Sequence, residues 1–172
     1  MKIETINDIM FDVIPPLYRR VESDHKELIA DLGNKSLYIY GGVGVGKTQL
    51  TAQAVKDILS KNDCNVSWEK GVELWFHIKS ILRTSSVNIF EKVMNITENP
   101  NPIVIDDIGF VIKEQLFELI LKYRLQNGFQ TLTNALLTPT ELEKESPIIW
   151  EIISNNYKVI KLDGKDRRLE RK

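Results

Sequence analysis

The chain has 172 residues, 42% hydrophobic and 27% charged, with a formal net charge of -1. Those proportions describe one ordinary globular domain with enough chain to bury a core, and they exclude a disordered, collagenous or membrane-embedded protein. A balance so close to neutral supplies no general field for nucleic acid, so any such contact needs a local patch. A single cysteine, Cys64, leaves no internal disulfide and no cysteine-based zinc site, which suits a reducing compartment. Glu4, Asp8 and Asp12 interrupt the N-terminal apolar residues, and no run reaches membrane-spanning length. The expectation is a soluble, cytoplasmic protein with no membrane partner.

Along the chain, Ile3, Ile6, Ile9, Met10 and Val13 recur at helical spacing until Pro15 and Pro16. This predicts an amphipathic arm over residues 1–14, ahead of a single domain over 15–172. A polar helical stretch follows from Glu22 to Ala30. Leu37 to Tyr40 reads as a buried strand, Lys47 to Ser60 as a helix, Asn65 to Trp68 as a strand, and Val72 to Leu82 and Val87 to Thr97 as helices. Ile103 to Ile105 is a third strand. Lys113 to Gln126 is a long helix with Leu116, Leu119, Ile120 and Tyr123 on its apolar face and Glu114, Glu118 and Lys122 in solvent.

Phe129 to Thr133 reads as a fourth strand. Thr138-Pro139-Thr140-Glu141 carries a capping threonine, proline at the first helical position and the glutamate that completes a capping box, so a helix begins there. Ile148 to Ile153 is a further short helix and Tyr157 to Leu162 a last strand. Strands alternating with helices imply an α/β fold with a five-stranded parallel sheet flanked by helices.

Gly41-Gly42-Val43-Gly44-Val45-Gly46-Lys47-Thr48 fits G-x-x-x-x-G-K-[ST] between an apolar strand and a helix, the context the chemistry requires. Glycines let the backbone N–H groups turn onto phosphates, and the helix presents its positive end to the same charge. Lys47 would neutralise the β and γ phosphates of ATP, the Thr48 hydroxyl would ligate Mg²⁺, and Gln49 extends the nucleotide-binding set. Ile103-Val104-Ile105 delivers Asp106 and Asp107 at a strand's C-terminal tip, where open parallel sheets bind ligands. Asp106 is the second candidate for Mg²⁺, through water, and Asp107 the candidate to orient or deprotonate the attacking water. Thr133 or Asn134 is the candidate γ-phosphate sensor. Between Asn134 and Tyr157 the one basic residue is Lys144, so no arginine stands ready to stabilise the leaving phosphate.

Lys70, Lys79, Arg83 and Lys92, with Arg167, Arg168 and Arg171 in the tail, are the cations available to nucleic acid. Trp75 and Phe76 fit the core better than a base-stacking surface, and Trp68 and Trp150 also read as packing residues. His25 and His77 stand without ligand spacing.

Together the phosphate loop after Leu37-Tyr38-Ile39-Tyr40, Asp106-Asp107-Ile108-Gly109, Gln115 to Ile120 with Tyr123-Arg124, Gln130 to Asn134 and Lys161-Leu162-Asp163-Gly164 resemble the DnaC, DnaI and IstB group of AAA+ ATPases. These are bacterial and phage helicase loaders and transposition helpers. The resemblance runs from about Ile14 to Arg168. It implies a RecA-like AAA+ core without a C-terminal helical lid, ATP and Mg²⁺ as cofactors, and a nucleotide contact from Arg168. It also implies action with a replicative helicase and single-stranded DNA, in an ATP-dependent homo- or hetero-oligomer.

Three departures shape the functional expectation. Only the short arm before Pro15 stands where cellular loaders carry a helicase-binding domain. Ile148 to Asn156 holds no arginine where the group presents a finger. An ungapped match puts Leu136, not Asn134, at the sensor asparagine. The expectation is a reduced, phage or mobile-element loader or replication accessory ATPase that hydrolyses ATP slowly alone. The alternatives are an IstB-like transposition helper and an ATP-dependent binding module that inhibits or redirects a host loader.

Overall fold

A computed structural model describes residues 13–62, 64–84 and 87–166. Most of the predicted arm, and the basic tail with Arg167, Arg168 and Arg171, lie outside the described residues. The strands are β1 (Ser36–Gly41), β2 (Ser67–Lys70), β3 (Ile103–Asp106), β4 (Thr131–Ala135) and β5 (Tyr157–Leu162). All four pairings are parallel, in the order β2-β3-β4-β1-β5. The helices are α1 (Lys47–Lys61), α2 (Gly71–Thr84), α3 (Val87–Glu98), α4 (Gln115–Gln126), α5 (Pro139–Glu145) and α6 (Pro147–Asn156), with 3-10 turns at Pro16–Tyr18, Lys26–Ile29 and Ile108–Phe110.

Side chains alternate across a strand, so each strand feeds two cores. Leu37, Ile39, Val104, Leu132, Ile160 and Leu162 pack under α1 and the N-terminal turns. Tyr38, Ile103, Ile105, Ala135 and Tyr157 pack under α2 to α6. β1 and β3 are therefore apolar on both faces, as expected of a covered parallel sheet, while β4 buries Thr131, Thr133 and Asn134. Because β4 lies between β1 and β3, its C-terminal end falls between the phosphate loop and Asp106-Asp107. That placement assembles the site.

Several boundaries and faces differ from the sequence reading. The Glu22 to Ala30 stretch forms only the 3-10 turn Lys26–Ile29, with Gly33 at φ 53° turning the chain toward β1. β2 starts two residues later than predicted, and so does β4, because the Phe129 N–H still caps α4 through the Arg124 carbonyl at 2.8 Å. Helix α4 buries Phe117, Ile120, Leu121 and Arg124, whereas Leu119 and Tyr123 face outward. Glu114 is not a solvated residue: its carboxylate accepts from Trp75 Nε1 at 3.1 Å and pairs with Lys79 at 2.8 Å. Trp75 packs on the core as expected, but Phe76 is 58% exposed. Trp68 and Trp150 pack against the two cores, and the capping box at Thr138 and Glu141 is formed.

Arg124 is fully buried, a position that sequence patterning assigns to apolar residues. Its guanidinium donates to the carbonyls of Ile96, Asn99, Asn101 and Gln130 at 2.8–3.0 Å, and to Thr131 Oγ1 at 2.9 Å. The planar fork thus collects the turns that lead into β3 and β4. Burial pushes its pKa down to about 10, still far above neutral pH, so the group remains a cation. Arg124→Leu should lower the unfolding free energy by about 3–5 kcal/mol, because the Ile96, Asn99 and Asn101 carbonyls and Thr131 Oγ1 lose the guanidinium that binds them. Arg124→Lys should recover less than half of that, since an ammonium cannot reach the same span; urea unfolding of the three proteins measures both.

Candidate functional site

Gly46, at φ 104°, turns the chain into the first residue of α1, a conformation that favours glycine. Lys47 and Thr48 then open the helix, so their side chains share the loop with the helix's unpaired N–H groups. Lys47 Nζ donates to the carbonyls of Gly41 and Gly42 at 3.0 and 2.7 Å, which folds the ammonium back over the loop.

Thr48 Oγ1 donates to Asp106 Oδ1 at 3.0 Å, so the helix that follows the phosphate loop meets the tip of β3 directly. Asn134 Nδ2 donates to the same oxygen at 2.6 Å and to Thr51 Oγ1 at 3.1 Å, and its Oδ1 accepts the Asp107 N–H at 3.1 Å. Thr51 in turn donates to the Lys47 carbonyl at 3.0 Å. Burial raises the proton affinity of Asp106, with Asp107 adding to the shift; the donors Asn134 and Thr48, and the Lys47 charge, oppose it. The carboxylate is thus a desolvated anion gathered by neutral donors, the electrostatic setting in which a nearby cation is most stabilising.

Asp107 projects beyond the strand. It caps the Ile108–Phe110 turn, its Oδ1 accepting the Gly109 N–H at 3.3 Å, and its own backbone sits at φ 61°, ψ 77°.

These groups line a cleft of about 380 Å³ bounded by Leu17, Tyr18, Val43, Gly44, Gly46, Lys47, Thr48, Gln49, Asp106, Asp107, Asn134 and Leu136. The volume lies in the range of small-molecule sites. Of the two sensor candidates, the pleat separates them: Asn134 is 1% exposed and aimed at Asp106, whereas Thr133 Oγ1 donates to the Leu37 carbonyl inside the sheet. Leu136, the residue that an ungapped match sets at the sensor position, is 49% exposed on the cleft rim and carries no polar group. Gln49 lines the cleft, but its amide donates to the Glu22 carbonyl at 2.5 Å. Arg168 lies outside the described residues. Sequence reading missed Leu17, Tyr18 and Thr51. Only the Pro15-Pro16 break hinted that the chain would turn back toward the loop.

The sequence profile of the bacterial DnaA ATPase domain matches residues 25–145, more than half of the chain. Over 152 residues the chain is 24% identical to the replicative helicase loader DnaI of Bacillus subtilis, covering 78% of this chain and 48% of DnaI. Over 98 residues it is 30% identical to thymidine kinase of Listeria monocytogenes, covering 48% of this chain and 51% of the kinase. The chain thus spans about half the length of these curated relatives. A structure described as a primosome component of Streptococcus pyogenes serotype M3 has the same fold, with a TM-score of 0.73 at 20% identity over 98% of this chain and all of that one. With an AAA+ P-loop sheet, and a profile match across most of it, the chain belongs to the bacterial DnaA ATPase-domain family.

Proposed function

We propose that this chain binds ATP with Mg²⁺ at the phosphate loop, hydrolyses it slowly alone, and uses the nucleotide state to act on a replicative helicase. The single observation that carries the nucleotide part is the convergence of Lys47, Thr48, Asp106 and Asn134 on one cleft from three separate elements. A metal ion fits the donor set: the Thr48 hydroxyl and the Asp106 carboxylate are hard oxygen ligands 3.0 Å apart, and the buried carboxylate charge invites a cation. When bound, Mg²⁺ would draw charge from the β and γ phosphates.

Around it the chain's own residues divide the work. The loop amides and Lys47 hold the phosphates, and Leu17 and Tyr18 offer an apolar surface for the base. Asn134 fixes Asp106 and senses the γ phosphate. Asp107 orients the attacking water and accepts its proton. Among the described residues lining the cleft, Lys47 is the one cation. Slow turnover follows, because no second cation among the described residues that line the cleft adds to Lys47 in balancing charge on the leaving phosphate.

The helicase partner is supported by the DnaI likeness and by the DnaA family match. Single-stranded DNA has narrower support. Lys70 and Lys79 are paired with Glu73 and Glu114, which leaves Arg83 and Lys92, with exposed Phe76 and Phe90, as the contact surface on α2 and α3. Oligothymidine binding followed by fluorescence anisotropy should fall steeply with salt and drop in Phe76→Ala.

Calorimetry and steady-state turnover test the site. Lys47→Ala should lose ATP binding. Asp107→Asn should keep wild-type affinity and lose turnover by about 10²- to 10⁴-fold, the range of a removed general base. Asn134→Ala should also keep most affinity, with turnover down by about 10-fold or more, because Asp106 loses a donor and the Asp107 N–H loses its acceptor. Wild-type protein cycling many ATP per second with no partner would contradict the slow-switch reading. Purified replicative helicase should be retained by the tagged chain in ATP and released in Lys47→Ala; retention of a host AAA+ loader in its place would favour the decoy alternative.

A further inference from the structure

No loop joins β2 to α2. β2 ends at Lys70, which pairs in register with Asp106, and α2 begins at the next residue, Gly71. The backbone there is pressed so closely on the Asp106-Asp107 peptide that a Cβ on Gly71 would stand 1.9 Å from the Asp107 carbonyl oxygen, 2.8 Å from its carbonyl carbon and 3.2 Å from the Asp106 carbonyl oxygen. All three are backbone atoms, with no rotamer that could swing aside.

Asp107 is the only non-glycine residue at positive φ among the described residues. Such a conformation persists only where its surroundings over-determine it. Here Asn134 holds the Asp107 N–H, Gly109 holds its carboxylate and Gly71 abuts its carbonyl. Farther along α2, Trp75 and Lys79 grip Glu114, the residue that precedes α4. Leu74 and Ile78 of the same helix share a core with Ile108, Val111 and Ile112. α2 is therefore fastened along the whole segment from Asp107 to Glu114.

We infer that Gly71 is a positioning residue for Asp107, and that α2 is the splint that keeps the Asp107 carboxylate in the cleft. This rests on the proposed role of Asp107 toward the attacking water. The phosphate-holding groups ride on α1, across the sheet from α2, so displacing the Gly71 contact should change Asp107 placement and leave nucleotide affinity alone.

Gly71→Ala tests it through ATP affinity, kcat and hydrogen exchange of the Asp107 amide followed by NMR. Affinity should stay within about threefold, while kcat falls by about 10- to 100-fold, the penalty for a misplacement near 1 Å. The Asp107 amide should exchange at least about tenfold faster as its bond to Asn134 opens. Gly71→Ala combined with Asp107→Asn should turn over no more slowly than Asp107→Asn alone, a non-additivity that general damage would not produce.

If Gly71→Ala does not fold, Trp75→Phe, which keeps an aromatic ring in the place of the indole and removes the donor to Glu114, should show the same split at about three- to tenfold. A folded variant with wild-type kcat and unchanged Asp107 exchange overturns the inference, and so do losses that multiply in the double variant. Failure of the underlying reading looks different: Asp107→Asn would then hydrolyse ATP like the wild type, and the exchange measurement, which needs no turnover, would still decide whether Gly71 holds Asp107.

Discussion

One oxygen, Asp106 Oδ1, ties the proposed nucleotide site together. It accepts from Thr48 on α1 and from Asn134 on β4, and it stands at the end of β3. Three elements far apart in sequence are thereby fixed within hydrogen-bonding distance of one another. The constraint is expensive in isolation, since the carboxylate is desolvated and both donors are neutral. A fold chosen for stability alone would not place an anion there. The arrangement becomes favourable once a cation and a polyanion enter the cleft, which is the signature expected of a binding site and not of a core.

The opposite end of the sheet carries a polar knot of another kind. Arg124 draws together the turns entering β3 and β4 by donating to four of their carbonyls. Its position sets where β4 begins, and that in turn sets where β4 ends and Asn134 falls. The lower knot thus governs the register of the upper one: β4 pairs Leu132 with Leu37 and Asn134 with Ile39, so a slip of one residue would turn Asn134 to the other face and bring a threonine or alanine to Asp106.

Most of the architecture was legible because its determinants are local. The apolar runs at Leu37 and Ile103, the loop from Gly41 to Thr48 and the capping box at Thr138 each carry their structure within a few residues, and all fall where expected. What was not legible depends on contacts between distant segments. Whether Thr133 or Asn134 faces the cleft follows from strand register, which no composition reveals. Arg124 disguised the buried face of α4, because a guanidinium satisfied by five acceptors sits where the helical pattern calls for an apolar side chain. Glu114 read as solvent-facing for the same reason: its partners, Trp75 and Lys79, are more than thirty positions away. Leu17 and Tyr18 reach the cleft from a segment with no periodicity of its own.

The two cores divide the site along a physical seam. The groups proposed to hold phosphates belong to the α1 face, while Asp107 is seated by the α2 side of the sheet, through Gly71, Gly109 and the packing of Leu74 and Ile78 against Ile108. Asn134 touches both, accepting from the Asp107 backbone with one end of its amide and donating to Asp106 and Thr51 with the other. α2 and α3 also present the exposed Phe76, Val87 and Phe90 on the outer surface. A ligand bound to that surface would press on the same helix that seats Asp107, and would reach the groups proposed to hold phosphates through Asp106 and Asn134. With the roles proposed above, an event on the outside of α2 would bear on Asp107 more directly than on the groups proposed to hold nucleotide. The separation suits a protein whose nucleotide stays bound while its fate is decided by what lies against the other face.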